Sequence, residues 1–254
     1  MTVTDKKGNS WSATSAYIYL DHSNPAIHGL ETTNTDWTNR APVIGVSGTD
    51  YLTGTSYTGS GMSSVVIYDD VGREVARGSG SVSYTLTSRY EGIHTWKIVA
   101  TDNVGHTSTS YVTTKYDITK PGIDGTEITK VIQGMTVSGY CQDNVINQHT
   151  DDEARRSVNN PNVTSGLRSV MLYKVVDGHR YPIYSSTTNG SWASSDTHSY
   201  FNIYYDDNVA SDLPEYYVIA VSDHAGNITE KKLTTQRYLL TTFHTSIDRS
   251  TYNR

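Results

Sequence analysis

"EGIHTWKIVATDNVGHTSTSYVTTKYDITKP" (residues 91–121) is the stretch on which the fold reading turns. Trp96, Ile98 and Ala100 alternate with Lys97, Val99 and Thr101. A period of two is that of a strand with one buried face. The phrase Asp102-Asn-Val-Gly105-His106 then interrupts the alternation. An aspartate accepts hydrogen bonds from backbone N–H groups two residues on, and glycine supplies the positive φ that closes a tight turn. A Ser/Thr/Tyr run follows and reads as the returning strand, so the stretch is a β-hairpin. Asp117 stands four residues before Pro121. Proline holds itself and its predecessor extended, which makes a stiff, short connector.

The same phrase is written twice more, as "VTDKKGNS" (residues 3–10) and "VSDHAGNI" (residues 221–228). The turn residues are therefore Asp5 and Gly8, Asp102 and Gly105, and Asp223 and Gly226. Ahead of the third copy, Tyr217, Ile219 and Val221 repeat the alternation. Upstream, "SGMSSVVIY" (60–68) matches "SGLRSVMLY" (165–173), and "VIGVSGTD" ending at Asp50 matches "MTVSGYCQD" ending at Asp143. Asp21 stands four residues before Pro25, as Asp117 does before Pro121. The order strand–Asp, Ser-Gly-strand, strand–Asp-x-x-Gly is thus present twice, which is the signature of a repeated module.

The layout predicted is a set of modules. Residues 1–21 read as the closing strands of a preceding, truncated module, and the chain as a piece of a longer one. Residues 22–118 form one module and 119–240 a second. Residues 241–254 are a linker or the start of the next. The second module carries two insertions, "NVINQHTDDEARRSVNNPNVT" (144–164), with a helical turn expected at "DDEARRSV", and a loop including "SSTTNGSWASSDTHSY" (185–200).

These residues, in this order, resemble the bacterial immunoglobulin-like repeats of cell-surface and secreted proteins. "TDWTNRAPVIGVSGTD" followed by "SGMSSVVIY" resembles their opening half, and residues 91–121 their closing half. His106 for the family's Asn, and "DHSNP" for its usual linker, are departures. The resemblance implies an all-β fold of tandem immunoglobulin-like β-sandwich domains, about seven strands each. It also implies an extracellular, cell-surface or secreted bacterial setting. The function it implies is a non-catalytic stalk, spacer or adhesive segment, whose partners are the neighbouring modules of its own chain.

Composition agrees with thin β-structures. Of 254 residues, 35% are hydrophobic, and the 20 tyrosines far outnumber the 4 tryptophans and 2 phenylalanines. Tyr and Thr suit pleated, half-covered faces. The net charge of −6 is spread out, and no basic run points to nucleic acid. No apolar run reaches about 18 residues, so no membrane-inserted helix is predicted. The single cysteine, Cys141, excludes an internal disulfide and leaves the compartment open. It sits in an alternating strand and reads as a small core residue rather than a nucleophile.

Three constellations remain. Calcium wants several oxygen ligands; Asp69-Asp70, Asp151-Asp152-Glu153 and Asp206-Asp207-Asn208 supply carboxylates, though without the spacing of a known calcium loop, and the plainer reading is solvated loop acids. A host or environmental glycan or protein is the alternative partner. Trp192, Tyr200 and Tyr204 could stack on sugar rings, against the plainer reading that such aromatics pack the sandwich. Trp37 and Trp96 read as core. No nucleophile, acid–base pair or zinc-type His spacing converges along the sequence, so no enzyme is predicted.

Overall fold

The computed structural model describes residues 1–14, 20–30, 36–131, 134–143, 164–185, 198–205 and 216–233. In chain order the strands are β1 (Thr2–Thr4), β2 (Ser10–Ser12), β3 (Ala26–His28), β4 (Val43–Thr49), β5 (Met62–Tyr68), β6 (Glu74–Gly78), β7 (Ser81–Thr85), β8 (Gly92–Asp102) and β9 (Thr107–Tyr116). They continue as β10 (Gly122–Val131), β11 (Gly134–Gln142), β12 (Leu167–Val176), β13 (His179–Ser185), β14 (His198–Tyr205), β15 (Tyr216–Asp223) and β16 (Ile228–Leu233). A single 3₁₀ turn, Ser88–Tyr90, is the helical element among the described residues. The helical turn expected at "DDEARRSV", the site candidate Trp192 and the acids at 151–153 and 206–208 lie outside the described residues.

The chain divides into two compact units. Among described residues the first takes Met1–Thr119, 164–165 and His224–Asn227, and the second takes Lys120–Asp143, 166–223 and 228–233. In the first unit a three-stranded sheet, β3–β4–β7, accompanies a four-stranded one, β6–β5–β8–β9. In the second, β10–β11–β14 accompanies β13–β12–β15–β16. All these ladders are antiparallel. Among the described residues each unit holds seven sandwich strands in one order, and this is an immunoglobulin-like β-sandwich. In the constant-type immunoglobulin pattern the fourth strand of the larger sheet pairs the strand here called β7. Here that place is taken by β6, hydrogen-bonded to β5. The cause is local. Only five residues separate β5 from β6, and Gly72 turns with φ of +82°, so the returning strand must pair its predecessor. In the second unit Asp177 and Gly178 both take positive φ, +49° and +73°. That is the Asp-Gly turn of a two-residue hairpin.

Each sandwich closes on its alternating residues. Trp96, Ile98 and Ala100 of β8 meet Ile44 and Val46 of β4 and Val65 and Ile67 of β5, all buried. Burial of one such side chain is worth about 1.5–3 kcal/mol. The Trp96 indole N–H has no water to reach and donates to Thr114 Oγ1 at 2.9 Å. In the second unit Val137 and Cys141 of β11 meet Leu172 of β12, Phe201 and Ile203 of β14, and Ile219 and Val221 of β15. Trp37 departs from the expectation of a core residue. It is half-buried next to the Thr38–Tyr116 bridge, because it precedes β4 in an irregular segment and has no strand to turn it inward.

The hairpin β1–β2 pairs Val3 with Trp11 and leaves both exposed. Its strands make no ladder with other described strands.

Candidate functional site

The first two of the repeated turns use their aspartate in one way. Asp5 Oδ1 accepts from the N–H of Lys7 and Asn9, and Asn9 Nδ2 donates to Asp5 Oδ2 at 2.9 Å. Asp102 Oδ1 accepts from the N–H of Val104, Gly105 and His106 at 2.7–3.0 Å. His106 Nδ1 lies 2.9 Å from Asp102 Oδ2, where asparagine stands in the first turn. Gly8, Gly105 and Gly226 take φ of +87°, +98° and +95°. Asp223 is fully buried.

In the first unit Asp21 lies beside Asp102, and Asp50 lies beside Asp21. Asp21 folds back on its own chain, accepting the Ser23 N–H on Oδ1 at 2.9 Å, and takes the Ser60 N–H on Oδ2 at 2.6 Å. Asp50, at the end of β4, takes the Gly61 N–H on Oδ2 at 2.8 Å and the Ser60 hydroxyl at 3.3 Å. One donor atom from each of Asp21, Asp102 and His106 lies within 4.8 Å of the others. Gly59 is what lets Asp21 and Asp50 converge. A Cβ built there would sit 2.7 Å from Asp21 Oδ2 and 2.7 and 2.8 Å from the two Asp50 oxygens. Gly59 does not need a left-handed φ; it is there for space.

The electrostatics follow from those donors. The N–H groups of Ser23 and then Ser60 hold the Asp21 carboxyl down to about 2. Burial pushes Asp102 upward, but the His106 N–H and ring, with the Gly105 and Val104 N–H groups, outweigh it and keep the carboxyl below its ordinary value. One oxygen is left over. Asp50 is only 3% exposed, and its Oδ1 has no hydrogen-bond partner. An unmet buried acceptor costs about 1–3 kcal/mol. It faces the same Gly59 space that Asp21 Oδ2 faces.

A hard divalent cation fits this donor set. Ca²⁺ takes carboxylate oxygens in flexible geometry; Asp21 and Asp50 offer theirs around Gly59, and Asp102 lies beside Asp21. Asp50 Oδ1 is the donor that otherwise goes unused. The chemistry such an ion supplies is charge neutralisation and cross-linking of the β3 approach, the end of β4 and the β8–β9 turn.

The sequence reading looked for calcium elsewhere, and the acids it named at 69–70 do other work. They are not solvated. Asp69 is buried, accepts from the N–H of Val71 and Arg73, and takes the Tyr90 hydroxyl at 3.2 Å. Asp70 Oδ2 lies 2.7 Å from His94 Nδ1, while His94 Nε2 is 3.0 Å from the Glu91 carbonyl. Both ring nitrogens are thus engaged, and this buried pair offers no base to a nucleophile. What the sequence did carry was the recurrence of Asp21, Asp50 and Asp102 as Asp117, Asp143 and Asp223, the last three all buried. Six turn and strand-end aspartates recurring in place were a signal for more than turn geometry.

Cys141 is buried among the core of the second unit, and burial raises its thiol to about 12. Tyr200 and Tyr204 stand on β14 with their side chains outward.

No family model matches the chain, and no curated protein matches it. Solved structures do. A Ca²⁺-stabilized adhesin of an Antarctic bacterium is 15% identical with a TM-score of 0.35, covering 92% of this chain and 54% of that one. The fibronectin(III)-like modules of Clostridium thermocellum CbhA are 12% identical with a TM-score of 0.31, covering 85% and 96%. A two-domain fibronectin type III segment of chicken tenascin is 12% identical with a TM-score of 0.31, covering 84% and 100%. Likenesses of this size carry nothing about function. On its own strand order and register, the chain is an all-β protein with immunoglobulin-like β-sandwich modules following one another along the sequence.

Proposed function

We propose that this chain is a non-catalytic structural and adhesive segment, a stalk or spacer, of a large bacterial surface or secreted protein. The observation that carries this reading is the repetition. Two seven-stranded sandwiches of one strand order follow each other in the chain, and the polar residues that recur between them are spent on turns and connectors. Asp21 and Asp117 each accept an N–H two residues on, ahead of Pro25 and Pro121. Glu91 Oε1 takes the N–H groups of Ile118 and Thr119 at 2.8 and 2.7 Å, fixing the chain where it leaves the first sandwich. Such a segment works by holding shape, and divalent cation at Asp21, Asp50 and Asp102 stiffens the first module.

The test is surface labelling. Antibody raised against residues 20–131 should label intact, unpermeabilised cells of the source bacterium or its culture supernatant, and brief protease treatment of intact cells should remove the cell-bound signal. Antigen found only in the cytosol of lysed cells overturns the proposal.

A further inference from the structure

We propose that the outward face of β11 and β14 in the second unit is a platform for a neutral polysaccharide chain, with Tyr140, Tyr200 and Tyr204 as its stacking rings. This goes beyond the spacer reading and does not depend on it. Strand alternation places Tyr200, Asn202 and Tyr204 outward on β14, while Phe201 and Ile203 point into the core. Across the ladder, Tyr140 pairs with Tyr200, Ser138 with Asn202, and Thr136 with Tyr204. The three tyrosines are 60%, 52% and 58% exposed. The rings of Tyr140 and Tyr200 lie 5.1 Å apart, tilted by 58°, and so support each other in place. Tyr204 stands four residues along, about 13 Å at the rise of a strand. The face is therefore long, and it suits a chain of sugars better than a single one.

The fold itself does not ask for these rings, because the molecule contains a control. Measured from the aspartates that end the two strands, Asp50 and Asp143, Tyr140 occupies the place of Ser47 and Thr136 that of Val43. Ser47 pairs with Ser81 and Val43 with Thr85, where the second unit pairs Tyr140 with Tyr200 and Thr136 with Tyr204. The first unit builds the same sheet with valine, glycine, serine and threonine on that face. Gly45, Ser47, Ser81 and Ser83 line an open hollow of about 440 Å³ there. Three large aromatic rings are thus confined to one of two equivalent sheets.

The polar groups around the rings choose the ligand class. Among the described outward-facing residues of β11 and β14 none is charged. Ser138, Asn202 and Gln142 offer hydroxyl and amide groups between and beside the rings. On the third strand Asp124 stands opposite Tyr140 and Glu127 opposite Ser138, both exposed. Gln142 Nε2 donates to Asp124 Oδ2 at 3.1 Å. These carboxylates repel anionic polymers such as nucleic acid or acidic glycans, and they accept hydrogen bonds from hydroxyl groups. Aromatic faces take the C–H side of a sugar ring, and amides and carboxylates take its hydroxyls. Among the described strands β14 is the outermost of its sheet, so a long polymer can run along it without meeting another of them.

The experiment is affinity electrophoresis of the whole chain in native gels. The gels contain hydroxyethylcellulose, glucomannan or soluble starch as neutral probes, and polygalacturonate or heparin as anionic ones. Retardation in at least one neutral gel is expected, with none in the anionic gels. Tyr140→Ser and Tyr200→Ser place on this sheet the residues its sister sheet folds with, so they should keep the parent's melting temperature. Each should weaken binding about tenfold. Tyr200→Phe keeps the ring and should keep most of the binding, while Ser81→Ala on the sister sheet should change nothing. No retardation by any neutral polymer overturns the proposal. So does retardation that survives both serine substitutions, or retardation by the anionic polymers alone.

Discussion

The backbone N–H of Ser60 donates to Asp21 Oδ2 at 2.6 Å across 39 residues of chain. This bond ties the connector ahead of Pro25 to the start of β5, and it brings Asp21 to the same small space that Asp50 enters from the end of β4. Two carboxylates near one glycine are stable only if their charge is answered. Backbone N–H groups answer most of it, and Asp50 Oδ1 marks what they leave unanswered.

Calcium should therefore raise the stability of the first module. A ligand that binds only the folded state adds about 2.7 kcal/mol at a hundredfold excess over its Kd. Calorimetric titration should show heat of binding, and the melt should shift upward with Ca²⁺ and return with chelator. Asp50→Asn, which removes charge but little volume, should abolish the shift. A melt and a titration both indifferent to calcium would remove the cation from this site.

Acid should destabilise the first module over a defined window. Asp21 and Asp102 have folded-state values below their unfolded ones, with Asp21 at about 2. Their contribution is fully present above the unfolded value of about 4 and is lost as pH falls through the folded value. Urea unfolding measured in chelator from pH 6 to pH 2 should show stability falling mainly below about pH 4. Asp21→Asn should flatten part of that fall. A slope unchanged in this variant would show that Asp21 is not among the groups responsible.

Two glycines should fail for different reasons. Gly105 has φ of +98° and open space around its missing side chain. Gly105→Val should cost about 1–3 kcal/mol through backbone strain alone. Gly59 has an ordinary φ, but a Cβ there meets the oxygens of Asp21 and Asp50. Gly59→Ala should leave the calcium-free melt less affected than it leaves calcium binding. Thermal melts with and without the ion separate the two.

The buried thiol should be silent. Burial lifts Cys141 to about 12 and its Sγ lies 3.6 Å from the Ser199 carbonyl. A chromogenic disulfide reagent at pH 8 should label it only after unfolding in guanidinium. Rapid labelling of the native chain would mean that the second sandwich opens around β11 and β14.

The buried indole allows a direct hydrogen-bond test. Trp96 and Thr114 are both fully buried, and the Trp96 Nε1–H donates to Thr114 Oγ1. Thr114→Val keeps the shape and strands the N–H, which should cost about 1–3 kcal/mol. Serine at the same position should restore most of it.

What the sequence by itself determined was local and periodic. Trp96, Ile98 and Ala100 announce a buried face because side chains alternate along a strand. The Asp-x-x-Gly phrases announce turns because only glycine takes a positive φ without strain. The repetition announced two modules, since a fold written twice must satisfy the same rules twice. Trp37 was misread because aromatic size says nothing about which side of an irregular segment faces inward. The acids were misread because charge along a sequence does not reveal burial; Asp69 and Asp70 look like a solvated pair and are instead enclosed by Tyr90 and His94. Only tertiary structure brought Asp21 to Asp50 and to Gly59, which stand 29 and 38 positions further along the chain. Only the β11–β14 register set Tyr140 against Tyr200. Such meetings are long-range pairings, fixed by how strands align across a sheet, and no local propensity encodes them.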